Sequence, residues 1–261
     1  MAKGKLIPIV EGYDVSEEFL YIEEYMFIKG YACGRNLINT MKALPLARQV
    51  HNGQHRKGEV TVKGETYRLP YVLHVLKVTN TLISASLPLS DYETDILLTC
   101  ALLHDSIEDD EGGYFKNGGR ELITEYGFPE EVYHVIKLLS KRPGATEAEL
   151  NLYFNEIKRN KYALLIKMAD RSHNVEDLYN KTIEKIHIYV KETRDYIYPL
   201  STYAKAHYPE LSNGVTILKS KIVSLTELTE TLVNKYDKLL SEKDKEINRL
   251  KEEIDRLKNG N

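Results

Sequence analysis

Apolar residues recur at steps of three and four along most of this chain, the spacing that gathers them on one face of an α-helix. SEEFLYIEEYMFIKGYACG, residues 16–34, predicts a helix ending at Gly34, and LINTMKALPLARQVHNGQHRKG, 37–58, a helix running down into Gly58. EVTVKGETYRL, 59–69, breaks the pattern: its alternation around Lys63-Gly64 predicts a β-hairpin. Helical spacing resumes after Pro70 in LPYVLHVLKVTNTLISASL and again in SDYETDILLTCALLHDSIEDD. The latter opens on Ser90 with Glu93 three residues on, a capping box. RELITEYGFPEEVYHVIKLLSKR predicts two helices split at Gly127, EAELNLYFNEIKRNKYALLIKMADRSHNVEDL a further pair, and 181–208 a tyrosine-rich helical region. The class is therefore all-α with one small inserted hairpin.

The last segment differs in kind. No Pro or Gly interrupts Leu218–Leu257, and apolar residues fall at Leu218, Ile222, Leu225, Leu232, Tyr236, Leu239, Ile247, Leu250, Ile254 and Leu257. These steps suit a heptad seam, with Lys243 where an apolar residue belongs and a register shift nearby. A helix of roughly 60 Å is expected, extending from the body or associating with a second copy. The organisation expected is an N-terminal helical extension over 1–40, a catalytic domain over 41–212, and a long C-terminal helix over 213–261 that is a candidate coiled coil and homo-oligomer contact.

Composition narrows the setting. With 42% hydrophobic residues in 261, the chain can bury a substantial core. A net charge of -3 gives no global field toward nucleic acid or membrane, so neither is expected as a partner. Two cysteines, Cys33 and Cys100, make no disulfide framework, and the N-terminus turns acidic too early for a signal peptide. A soluble, cytoplasmic protein is expected.

The candidate chemistry lies in charged groups set behind apolar runs, where a charge is costly unless paired or bound to metal. In DILLTCALLHDSIEDD, His104 and Asp105 stand about 100° apart on a helix, and Glu108 and Asp109 follow one turn on. PYVLHVLKV places His74 in an apolar helix, and ALLIKMADRSHN places Asp170 after an apolar run, with His173 and Asn174 one turn further. Taken singly, each has a plain structural explanation: a helix-end salt bridge, or a core histidine satisfied by a neighbour. Together, His74, His104, Asp105 and Asp170 make a two-imidazole, two-carboxylate set suited to Mn²⁺, Fe²⁺ or Zn²⁺. HNGQHRKG, 51–58, adds Gln54, Arg56 and Lys57, either a solvated basic turn or a phosphate-binding donor cluster.

These stretches, with FPEEVYHVIKLLSK and KETRDYIYPL, occur in an order that resembles the hydrolase half of the RelA/SpoT family of alarmone enzymes, a branch of the HD-domain metal phosphohydrolases. The resemblance covers about residues 41–208. It implies a helical HD-domain bundle in which His74, His104, Asp105 and Asp170 hold a divalent metal, usually manganese. It also implies that Glu108 and Asp109 handle the attacking water, that Arg56 packs on the guanine beside Lys57, and that Asn174 contacts the nucleotide sugar. The chain departs from the family in having His74-Val75 where His-Pro is common, and in inserting the hairpin between Arg56 and His74.

The function implied is hydrolysis of the 3'-pyrophosphate of ppGpp or pppGpp to GDP or GTP. Too few residues follow Asn213 for the synthetase domain of two-activity relatives, so no pyrophosphate transfer from ATP is expected. Two alternatives stay open: the same metal site acting on another phosphorylated nucleotide such as NADPH, and a regulatory protein that binds a nucleotide without turning it over.

Overall fold

The computed structural model describes residues 18–62, 65–140, 144–178 and 181–259. Eleven helices and one hairpin are described: α1 (Ile22–Gly34), α2 (Ile38–Val50), β1 (His55–Val62), β2 (Glu65–Pro70), α3 (Val72–Ser84), α4 (Asp91–Leu103), α5 (Glu121–Thr124), α6 (Glu130–Leu139), α7 (Glu147–Ile157), α8 (Lys161–Glu176), α9 (Ile183–Glu192), α10 (Tyr198–His207) and α11 (Ser212–Asn259). A π-turn, Thr193–Ile197, joins α9 to α10. The fold is all-α apart from the two antiparallel strands, and no described helix is long and apolar enough to cross a membrane.

The centre of the body is α4, which buries every residue from Thr94 to Leu103. A helix apolar on all sides needs neighbours all round, and α2, α3, α6 and α8 supply them. Ser90 opens it with the expected reciprocal cap, accepting from the Glu93 amide while Glu93 accepts from the Ser90 amide. Charge is buried where it does structural work. Asp95 of α4 accepts the backbone N–H groups of Asn39 and Thr40 at 3.0 and 2.7 Å and the Thr40 hydroxyl at 2.8 Å. It thereby caps α2, whose own N-cap, Leu37, has no side-chain acceptor. Arg48 of α2, fully buried, pairs with Glu18 and lies under the Tyr21 and Tyr25 rings, tying α1 to the body.

Two boundaries differ from the sequence expectation. α2 does not run to Gly58: it stops at Val50, because Asn52-Gly53 turns the chain, with Gly53 at φ +75°, and β1 begins at His55. α4 ends at Leu103 rather than continuing through His104 and Asp105, and residues 104–109 follow as turns. One helical-type bond survives there, from the Asp109 amide to the Asp105 carbonyl at 2.9 Å. The hairpin pairs Val60 with Tyr67 and Thr61 with Thr66, with an irregularity between His55 and Glu59. Its base is fixed by the Tyr71 amide, which donates to the Gln54 carbonyl at 2.8 Å.

Residues of α1, and Val215, Leu218 and Ile222 of α11, share one apolar core with α2–α4 and α8. Further along, Val233 closes a small second cluster with Val175, Leu178, Ile186 and Val190. Beyond Val233 the helix leaves the body: from 234 to 258 every residue except Asp237 is exposed.

Candidate metal centre

Three segments that pack on one another bring four ligand-type groups together. His74 lies in the first turn of α3, His104 and Asp105 directly follow α4, and Asp170 lies in the second half of α8. His74, His104 and Asp170 present ligand atoms all within 4.8 Å of one another. The fourth group, Asp105, places Oδ2 3.4 Å from His74 Nε2 and 3.1 Å from His104 Nε2. Asp170 Oδ1 lies 3.3 Å from His74 Nε2 and 4.0 Å from His104 Nε2. The two imidazoles therefore turn the same nitrogen, Nε2, toward both carboxylates.

The opposite ring nitrogens explain this orientation. His104 Nδ1 is 2.8 Å from the Ala101 carbonyl, which only accepts, so Nδ1 carries a proton and Nε2 is the nitrogen that a cation would engage in place of its own proton. That Nε2 is buried and has no hydrogen-bond partner. A buried, unsatisfied imidazole nitrogen beside two carboxylates is what a bound cation would satisfy. His74 Nδ1 is 2.7 Å from Nδ1 of His173. Burial, then the neighbouring His74, Arg56 and Lys77, lower the His173 pKa to about 2, so His173 stays neutral and would accept from His74 when His74 Nε2 gives its lone pair to a cation.

The carboxylates are held in their charged form. Burial works against ionised Asp170, but Lys167, 3.1 Å from its Oδ2, with His74 and His104, keeps its pKa far below the usual carboxylate range. Asp105 is likewise depressed: burial works against its charged form, but His104 and His74 together outweigh it. In return, although burial alone would lower the His104 pKa, Asp105 and Asp170 raise it to about 9. Tyr71 donates to Asp105 Oδ2 at 2.8 Å, and burial with the two nearby aspartates keeps its hydroxyl protonated.

The remaining sequence candidates surround this cluster. Arg56, at the start of β1, donates to Asn174 Oδ1 at 2.9 Å, pairs with Asp177 at 2.9 Å, and lies 5.9 Å from the centre of the Tyr71 ring. Asn174 donates in turn to Asp170 Oδ1, so an arginine from the strand is linked to a ligand-type carboxylate on α8. Asp109 raises the Tyr71 pKa by charge and hydrogen bonding, and its carbonyl accepts from Gln54 at 2.6 Å. Glu108 is exposed, and its charge bears on Tyr153, which also feels Lys167 and Asp170. The side chain of Lys57 lies outside the described residues.

Several participants were not among the sequence candidates. Nothing in the local spacing marks Tyr71 or Lys167. His173 stood only as a neighbour of Asp170. His51, buried with Nε2 unpartnered, holds Gln54 at 2.7 Å and stacks on Tyr71 at 4.8 Å. Its signal was its place in HNGQHRKG.

Two histidines and two aspartates from separate buried segments, oriented by second hydrogen bonds and flanked by an arginine, define a candidate divalent-metal centre with N/O ligation. The comparisons fit this class: the chain has weak homology to the RelA/SpoT family of (p)ppGpp synthetases and hydrolases. It is 30% identical over 172 residues to a probable GTP pyrophosphokinase of Mycobacterium leprae, covering 64% of this chain and 19% of that protein. It is 28% identical over 197 residues to the bifunctional (p)ppGpp synthase/hydrolase SpoT of Escherichia coli, covering 73% and 25%. A GTP pyrophosphokinase of Myxococcus xanthus is 28% identical over 207 residues, covering 74% and 24%. The chain thus spans about a fifth to a quarter of the length of these relatives, whose names include both synthase and hydrolase. No family model matches the chain.

Proposed function

We propose that the chain is a metal-dependent phosphohydrolase that removes the 3'-pyrophosphate of ppGpp or pppGpp, giving GDP or GTP and pyrophosphate. The observation that carries this reading is the convergence of His74, His104, Asp105 and Asp170, beside the Arg56–Asn174 pair. Relatives named as (p)ppGpp hydrolases supply the substrate class.

The four groups would hold the ion, manganese by the family resemblance. Bound there, a divalent cation lowers the pKa of a coordinated water and offsets charge on a phosphate oxygen. The rest falls to the chain's own side chains. Asp109, which interacts with Tyr71, and Glu108, whose charge bears on Tyr153, would take the proton of the attacking water. Such acid–base help is worth about 10²–10⁴-fold. Water oxygen bonds to the phosphorus on the ribose 3'-oxygen, that P–O bond breaks, pyrophosphate leaves, and the 3'-oxygen takes up a proton. Arg56, clamped by Asn174 and Asp177, presents a planar cation for the base or a phosphate and contributes positioning. Lys57 and Asn174 complete the nucleotide contacts in this reading.

A specific feature favours testing other nucleotides: Arg56 itself stands on the first strand of the inserted hairpin, which the family pattern lacks. The test is incubation of the full chain with Mn²⁺ and ppGpp, pppGpp and NADPH in parallel, measuring pyrophosphate and free phosphate separately. GDP and pyrophosphate from ppGpp, lost in Asp105→Ala, are expected. Phosphate from NADPH alone moves the substrate assignment and leaves the centre intact. No turnover of any of them, or undiminished turnover by Asp105→Ala, overturns the reading.

A further inference from the structure

The exposed part of α11 carries an apolar stripe that its own body leaves uncovered. Leu240, Ile247, Leu250, Ile254 and Leu257 are 47% exposed or more, on a segment that continues past Val233 for about 39 Å. The helix is unbroken from Ser212 to Asn259, and from Val233 to Leu257 the seam keeps one register once Leu240, rather than Leu239, is taken as the core residue. Val233, Leu240, Ile247 and Ile254 then fall at a, and Tyr236, Lys243, Leu250 and Leu257 at d. In this register Lys243 is a polar residue within a regular heptad pattern, and the shift relative to Leu218, Leu225 and Leu232 falls at Leu232–Val233.

Three features of this register name the occupant. Isoleucine at a with leucine at d, as in the last two heptads, is the combination that favours two parallel strands. The flanking positions carry Glu246 and Glu253 at g and Lys251 and Lys258 at e. In a parallel, in-register pair, g of one chain faces the following e of the other. Glu246 then meets Lys251 of the second copy and Glu253 meets Lys258, twice over by symmetry. In an antiparallel pair, g faces g and e faces e, which sets glutamate against glutamate and lysine against lysine. The stripe is thus complementary in charge to a parallel copy of itself and repulsive to an antiparallel one.

Lys243 fits the same arrangement. Its ammonium reaches Glu246 of its own chain at 2.8 Å, so its stem can lie along the seam while the charge sits at the edge. A single polar core position of this kind fixes register and strand number at a cost in stability. We infer that residues 236–257 of α11 form a parallel, in-register, two-stranded coiled coil with a second copy of this chain, placing two catalytic bodies at the same end of the dimer. This inference is independent of the proposed chemistry.

The experiment is sedimentation of the full chain with a set of variants. Wild type is expected at twice the mass of one chain. Leu250→Lys weakens association by about 100-fold, from two buried leucines lost per dimer, while circular dichroism shows the body still folded. Glu246→Lys with Glu253→Lys dissociates the dimer, and equimolar mixing with Lys251→Glu, Lys258→Glu chains restores it. In a Cys33→Ser background, Leu250→Cys and Leu257→Cys chains each oxidise to a linked dimer, which only a parallel register allows at both positions. A monomeric wild type, a trimer or tetramer, a dimer indifferent to Leu250→Lys, or failure of either cross-link overturns the inference.

Discussion

His74 uses its two ring nitrogens for different purposes: Nε2 faces Asp105 and Asp170, and Nδ1 meets Nδ1 of His173. Outer partners of this kind orient a ligand and raise its basicity, and their loss typically costs about 10–100-fold in metal affinity. His173→Phe is accordingly predicted to weaken Mn²⁺ binding within that range, while His173→Gln, which keeps an acceptor, recovers part of it. Calorimetric titration of both variants checks this; unchanged affinity in His173→Phe contradicts the assignment. The ligand-type residues were legible because each follows an apolar run, where an unpartnered polar group is conspicuous. The role of His173 was not, because it depends on the crossing of α3 and α8. Sequence spacing along α8 relates His173 only to Asp170 and Asn174, whereas its bonded neighbour lies 99 positions away.

At the scale of elements, the start of α4 shows how a local signal acquires a distant partner. The Ser90–Glu93 cap is written in the sequence, but Glu93 also pairs with Lys161 at the start of α8, joining two of the helices that carry the centre. Lys161, followed by the cap contacts of Ser90, lowers the Glu93 pKa from the ordinary 4.5 to about 2. Because the folded-state value is depressed, the stabilisation is present above pH 4.5 and is lost as the pH falls from 4.5 toward 2. Glu93→Gln is therefore predicted to cost about 1 kcal/mol at pH 7, with the difference from wild type shrinking below pH 4.5. Urea unfolding at pH 7 and pH 3 measures it; an equal difference at both would contradict the pairing. Other element boundaries were less legible. Helical spacing alone carried α2 on to Gly58, since Arg56 and Lys57 suit a helix as well as a strand. The Asn52-Gly53 turn and the pairing of β1 with β2 end it sooner. The cap that Asp95 gives to α2 is a contact across 56 positions, invisible to local pattern.

Over the whole molecule, the same apolar spacing produces two outcomes. Where a second apolar surface of this chain is near, as for α4 and the first third of α11, it makes the core. Past Val233 no such surface exists among the described residues, and the stripe stays in water. Periodicity showed that the last helix is long; only burial showed where it leaves the body, and only the e and g charges bear on what it meets.

The account as a whole rests on one divalent cation held by three segments. Chelator-stripped full chain, titrated with Mn²⁺ by calorimetry, is predicted to bind one ion per chain, with affinity at least about 100-fold weaker in His104→Ala, because the buried His104 Nε2 has no hydrogen-bond partner and faces the two carboxylates. Binding of no ion by wild type, or the same affinity in both proteins, would contradict it.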